Sequence, residues 1–281
     1  MKLPAGIRAK LTRGSEQLKI LYDEIGDAID PNKASVGFKL ETHYRRRPSG
    51  YTDGNIWAAT TFIVDSLPSL SLECGIHLGE IVHNFRSALD HLAWAVVGPA
   101  NRKGLTDRQL RDIEFPLAQS RARFKSTATR CLPGLTDKER AFFETYQPYK
   151  RSAIGRAMRL LQVLSNLDKH RVVLPTLALP ERIEIPKVTY EDATLIAVEK
   201  NVRDGQQIKA GTKLLTLVLA FPLDGRNRQV GMNGSLGLWP AFSRSYIKPP
   251  KGFHFVGIDI LSDVEHTCNA IVNSAEQRFF V

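Results

Sequence analysis

The stretch from Leu78 to Val97, LGEIVHNFRSALDHLAWAVV, constrains the fold of this chain more than any other segment. It consists almost entirely of good helix formers, contains no proline, and is followed by Gly98-Pro99, a pair that commonly stops a helix. At about 100° per residue its apolar side chains share one side, which is formed by Ile81, Val82, Phe85, Ala88, Leu89, Leu92, Ala93 and Val96. The sequence therefore predicts a helix that packs on a core through one face.

The opposite side of this helix is rich in groups that can do chemistry. A helix face that is exposed to solvent usually carries Lys, Glu and Gln side chains. This face instead carries imidazoles, a guanidinium, an amide, a hydroxyl, carboxylates and an indole, on Glu80, His83, Asn84, Arg86, Ser87, Asp90, His91 and Trp94. We interpret it as a functional site. The alternative is a core helix whose polar groups cap neighbouring elements and line buried hydrogen bonds.

The remaining patterns predict a mainly helical α+β protein. Apolar residues spaced by three, four or seven predict a helix from Leu3 to Ile29, and two-residue alternation from Val36, followed by IWAATTFIV, predicts a β-hairpin at 35–65. Further helices are predicted at 106–113, around 121–125, and at 136–146, 151–171 and 259–279, and about six strands after 172. Thr136 and Glu139 have the spacing of a capping box at the start of the 136–146 helix. The predicted domains are a helical bundle with the hairpin at 1–179, a β-rich insert at 180–258, and a C-terminal helix at 259–281 that returns to the bundle.

The composition indicates what kind of partner the chain binds and which cellular compartment it occupies. The net charge of +10 over 281 residues favours a polyanionic partner such as RNA. The three cysteines are widely spaced and form no C-x-x-C pair, so neither a disulfide framework nor a zinc knuckle is indicated. No apolar run approaches the length of a membrane span, and the N-terminus has no signal-peptide core. We expect a cytoplasmic protein that makes no membrane contact.

A second basic face is predicted near the end of the 151–171 helix. Its closing run NLDKHR offers amide, ammonium, imidazole and guanidinium groups, and we nominate Asn166, Lys169, His170 and Arg171 as substrate-binding residues together with Asn84 and Ser87. The alternative for the three basic residues is that they only complement the negative end of the helix dipole.

The spacing of Arg86 and His91, an Arg followed after four residues by His near the end of a long helix, resembles the motif of the HEPN superfamily of all-helical domains. The resemblance covers the helical parts of the chain, about residues 65–180 and the terminal helix. Family members commonly have Asn, Asp or His directly after the Arg, where this chain has Ser87.

The resemblance implies metal-independent RNA cleavage at a composite site between two protomers, without a cofactor. It also implies a role of the toxin or phage-defence kind, with a possible neutralising partner protein. Such cleavage needs a proton acceptor, a proton donor and positive charge near the phosphorane. Arg86 and His91 match the motif, and His83 and Asp90 join them as candidate catalytic residues from the helix period. The spacing predicts that Asp90 either orients an imidazole or holds Arg86 through an ion pair between residues four apart. Arg86 and His91 lie about 140° apart around one helix, so a dimer groove is expected to bring them together.

Two further hypotheses stay open. Glu80-x-x-His83 and Asp263-x-x-His266 have the spacing of helical carboxylate and imidazole ligands, which predicts an Fe, Mn or Zn site as the alternative to a metal-free one. The other hypothesis is a non-catalytic HEPN-like module that binds RNA, a nucleotide or a protein.

Overall fold

A computed structural model describes residues 2–30, 36–45, 56–169, 173, 175–178, 187–190, 193–203, 206–222, 230–233, 238–242, 247 and 256–280. The chain divides into two compact units. Unit 1 comprises Met1–Glu24, Ser71–Leu174 and Ile258–Val281, and unit 2 comprises Ile25–Leu70 and Pro175–Gly257. The predicted α+β class is confirmed, because the described residues form both helices and antiparallel sheets.

The helices occur where the sequence predicts them. They are α1 (Ala5–Ile29), α2 (Leu72–Arg102), α3 (Asp107–Arg111), α4 (Arg121–Cys131), α5 (Asp137–Thr145), α6 (Ala153–Asp168) and α7 (Ile260–Phe279). Thr136 and Glu139 form the predicted capping box at the start of α5, which satisfies backbone N–H groups that have no partner inside the helix. None of the described helices contains an apolar stretch of the length that a membrane span requires.

The central helix α2 packs its apolar face as the periodicity predicts. It begins after Ser71, whose hydroxyl accepts a hydrogen bond from the Cys74 N–H at 3.3 Å. Its apolar side is fully buried at positions such as Ile81, Phe85 and Leu89. The helical geometry breaks at Gly98, which has a φ of 69°, and one further turn runs from Pro99 to Arg102. The predicted stop at Gly98-Pro99 is therefore confirmed as a break within α2.

Unit 2 is built from nine strands among the described residues. They are β1 (Gly37–Arg45), β2 (Ile56–Ser66), β3 (Pro175–Ala178), β4 (Lys187–Tyr190), β5 (Thr194–Lys200), β6 (Lys213–Phe221), β7 (Val230–Asn233), β8 (Trp239–Phe242) and β9 (Val256–Gly257). The largest sheet is antiparallel, in the order β1-β2-β6-β5. The smaller ones are β3-β8-β9 and β4-β7.

The position of the hairpin corrects the predicted domain boundaries. We predicted that the hairpin belongs with the helical bundle, but β2 pairs along most of its length with β6, so both lie at the centre of one sheet. Both strands are buried on both faces, and this burial requires partners on each side. The edge strand β1 is less buried than its alternation predicts, since Leu40 and Tyr44 are 43% and 70% exposed.

Candidate functional site

Arg86 of the motif is held by two carboxylates of its own chain. Its Nε donates to Asp90 Oδ2 at 3.1 Å, and its Nη2 lies 3.0 Å from both Asp90 Oδ1 and Glu114 Oε2. The side chain is only 16% exposed. The Arg86–Asp90 ion pair follows from the four-residue spacing on one helix, whereas Glu114 comes from the segment between α3 and α4. Arg86 therefore joins α2 to that segment.

Asp90 takes part in the same link between α2 and the segment that contains Glu114. Its Oδ1 accepts a hydrogen bond from the Phe115 N–H at 2.9 Å, beside the Arg86 contacts. Burial raises the pKa of the Asp90 carboxyl, and this outweighs the lowering effects of the Arg86 charge and the Phe115 N–H. Both carboxylate oxygens of Asp90 have partners in this network, so neither is a free proton acceptor. Its predicted role of holding Arg86 matches the contacts.

The surroundings of Arg86 reduce its value as an anion site. Arg130 pairs with Asp112 at 3.0 Å and approaches Glu114 at 3.7 Å, so guanidinium groups and carboxylates alternate. The Cys131 thiol faces Glu114, and burial raises the pKa of this thiol to about 12. With three carboxylates for two guanidinium groups, the cluster carries no excess positive charge at neutral pH. A phosphate would have to displace a carboxylate to reach Arg86 Nη2.

The two candidate histidines of α2, unlike Arg86, lie at the surface. His83 and His91 are both exposed, and neither makes a hydrogen bond or ion pair with any residue that the structure describes. Ser87, midway between them, is half-buried. The structure places Asn84, predicted as a substrate-binding residue, away from the surface: its side chain is 7% exposed and donates to the Glu80 carbonyl at 2.8 Å. A polar side chain facing inward satisfies its amide on the helix backbone instead.

A pocket of about 510 Å³ lies beside His91. It is bounded by the start of α1, at Pro4 and Ile7, and by Trp94 and Arg102 of α2. Trp94 is 40% exposed, and the Arg102 guanidinium carbon lies 4.2 Å from the centroid of its ring. Among the described residues that line the pocket there is no carboxylate. An imidazole, an indole and a guanidinium that forms no ion pair with any described carboxylate thus share one surface.

The second predicted face is only partly available. Asn166 and Lys169 are exposed on α6. Two other polar residues of this helix serve packing, since Arg159 donates to the Pro148 carbonyl and Gln162 to the Leu117 carbonyl, each at 2.9 Å. The predicted binding residues His170 and Arg171 lie outside the described residues.

The metal hypothesis finds no assembled ligand set. No three His, Cys, Asp or Glu side chains in the described part of the chain are grouped so that they could hold a metal ion. Glu80, His83 and Asp263 are exposed, and His266 Nδ1 lies 2.6 Å from the Ser262 carbonyl oxygen of its own helix. The pairs Glu80/His83 and Asp263/His266 therefore have the sequence spacing of metal ligands, but the structure does not group them into a metal site.

Two residues of the site, Glu114 and Arg102, were not predicted from the sequence. Glu114 lies in the extended segment EFPLA, where no periodicity marks it. Arg102 comes eight residues after Trp94, and in an unbroken helix it would lie about 12 Å further along the axis. The break at Gly98 was the available signal, since a chain that leaves the helix axis there can bring a later residue back to Trp94.

Comparisons with protein-family models, curated proteins and solved structures returned no match for this chain.

Proposed function

We propose that this chain is a metal-independent endoribonuclease of the HEPN kind, with an active site completed by a second copy. The observation that carries the proposal is the pair of exposed imidazoles of His83 and His91 on α2, which have no hydrogen-bond or ion-pair partner in the described part of the chain. Cleavage by attack of the 2′-OH requires a proton acceptor and a proton donor, and imidazole serves as either near neutral pH. The implied toxin or phage-defence role and neutralising partner remain predictions from the resemblance.

One copy of α2 does not supply both imidazoles to one phosphate. They are eight residues apart, which is about 12 Å along the helix axis. They also lie four residues on either side of Ser87. If two copies of α2 cross antiparallel about a two-fold axis at Ser87, His83 of each copy faces His91 of the other. Such a dimer contains two equivalent acid–base pairs.

Arg86 has a positioning role in this proposal. Its contacts with Asp90 and Glu114 fix α2 against the segment that precedes α4. Arg102, which has no carboxylate partner among the described residues, is the better candidate for charge near a phosphate. The chain thus retains the spacing of the motif, but Arg86 acts by positioning α2.

The experiment measures cleavage of single-stranded RNA in EDTA. We expect His83→Ala and His91→Ala each to lose cleavage while retaining the wild-type melting temperature. His266→Ala is the matched control, because His266 is an exposed histidine on α7, and we expect it to cleave normally. Cleavage that survives both α2 substitutions contradicts the proposal.

Mixing the two inactive variants tests the shared site. A mixed dimer of His83→Ala and His91→Ala contains one intact pair, so re-equilibrated mixtures should regain about a quarter of the wild-type rate. Two histidines that act within one copy would leave the mixture inactive.

The second candidate function is RNA binding without turnover. Neutralisation of Arg86 by Asp90 and Glu114 favours it, because a catalytic site benefits from a cation free to stabilise the phosphorane. Binding of RNA by a pure dimer that shows no cleavage over a wide pH range would select this candidate.

A further inference from the structure

We infer that the pocket beside His91 binds one unpaired nucleotide, with its base stacked on Trp94 and its phosphate held by Arg102 and His91. The inference deepens the proposed function and rests on it only for the source of the nucleotide, which is a single-stranded RNA.

The aromatic surface of Trp94 is the first argument. Trp94 is 40% exposed at the edge of the pocket although the Arg102 guanidinium lies over its ring, so the part of the indole that Arg102 leaves uncovered is offered to a planar ligand. Stacking on such side chains is a general way to bind nucleobases, and it tolerates every base because each has a π face. Pro4, which is exposed and lines the same pocket, supplies further apolar contact.

The charge of the pocket is the second argument. Arg102 donates its Nε–H to the Gly98 carbonyl at 3.0 Å and lies over the Trp94 ring, and it makes no ion pair with a carboxylate of the described chain. By contrast, the guanidinium groups of Arg86 and Arg130, which lie near the motif in unit 1, have carboxylate partners. A held but uncompensated guanidinium suits a phosphate.

The arrangement of these groups is the third argument. His91 and Trp94 are three residues apart on one helical face, and the break at Gly98, with its positive φ, lets Arg102 return to the ring. The volume of about 510 Å³ is within the range of small-molecule sites. A base within a duplex keeps both faces covered, so stacking selects an unpaired nucleotide.

Binding is tested with the full-length protein in EDTA, by isothermal titration calorimetry and tryptophan fluorescence. The probes are adenosine 5′-monophosphate, adenosine, inorganic phosphate, and a 2′-O-methyl oligonucleotide, which lacks the attacking hydroxyl, as a single strand and as a duplex. We expect the monophosphate to bind more tightly than adenosine or phosphate, and the single strand more tightly than the duplex.

The variants separate stacking from charge. Trp94→Ala should weaken the monophosphate and the single strand about tenfold or more, and Trp94→Phe should retain most of the affinity. Arg102→Gln should weaken binding of the monophosphate and leave the affinity for adenosine unchanged. Trp239→Ala is the matched control, since Trp239 of β8 is 45% exposed, and Arg123→Gln is the control for an exposed arginine.

Three results would overturn the inference: unchanged affinity in Trp94→Ala, phosphate binding as tightly as the monophosphate, or a duplex binding as tightly as the single strand. Its failure is distinguishable from failure of the proposed function. Cleavage without dependence on Trp94 removes the nucleotide pocket alone, whereas Trp94-dependent binding without cleavage removes the nuclease alone.

Discussion

Arg86 shows how one side chain can match a functional motif and still be used by the fold. Its partners Asp90 and Glu114 have side chains 30% and 42% exposed, while Arg86 itself is 16% exposed. The guanidinium is the most desolvated member of the cluster. Its removal would leave two carboxylates close together, with the Phe115 N–H still bound to one of them.

We predict that Arg86→Ala lowers the free energy of unfolding by about 2 kcal/mol. Removing one partner of a fully buried pair costs about 3–5 kcal/mol, and the partial exposure of both carboxylates reduces this value. Chemical denaturation measures the change. The control is Arg121→Ala, because Arg121 pairs with Glu144 at 3.1 Å but is 73% exposed, and we expect about 0.5 kcal/mol or less.

The opposite pattern would restore the role that the motif predicts. If Arg86→Ala retains the wild-type stability but loses RNA affinity, the guanidinium is available to phosphate in solution and the carboxylate contacts are dispensable.

At the scale of elements, the sequence predicted those features that depend on interactions between neighbouring residues. The apolar face of α2, the capping box at Thr136 and the Arg86–Asp90 pair each depend on residues within one or two turns. The contact of Arg86 with Glu114 joins residues 28 positions apart, and the β2–β6 ladder joins Ile56 to Phe221. No periodicity within a strand specifies which distant strand it will pair with, so the hairpin was predicted but its sheet was not.

The approach of α1 to α2 gives a prediction at this scale. A Cβ added at Gly14 would lie 2.6 Å from a ring carbon of Phe85, which is fully buried. We expect Gly14→Ala to lower the free energy of unfolding by about 1–2 kcal/mol, since overpacking outweighs the gain in helix propensity.

Gly26 is the matched position in the same helix, because an added Cβ there meets nothing within 4 Å. Gly26→Ala should raise the free energy of unfolding by about 0.5–1 kcal/mol through helix propensity alone. Guanidinium titrations of both variants measure the pair, and effects of the same sign would show that Phe85 yields without cost.

At the scale of the whole molecule, neither unit is a continuous stretch of chain. Unit 1 is assembled from three segments and unit 2 from two. The buried side of α7, which includes Val264, Ile271 and Val272, belongs to unit 1 although it is the last element of the chain. The boundary that the sequence predicts after residue 179 therefore divides both units.

This division gives the last prediction. A fragment of residues 1–179 lacks β6 and α7, so it leaves one long side of β2 without hydrogen-bond partners and exposes apolar residues such as Phe62 and Val64, which are at most 1% exposed in the whole chain. We expect the fragment to be insoluble or to unfold without a cooperative transition when expressed alone. Co-expression with a fragment of residues 180–281 should yield a soluble complex in which the two pieces purify together, because the β2–β6 ladder and the packing of α6 on α7 need no covalent link. Circular dichroism and thermal unfolding of the single fragment and of the pair provide the measurement. A 1–179 fragment that unfolds cooperatively on its own would instead support the continuous domain that the sequence pattern suggested.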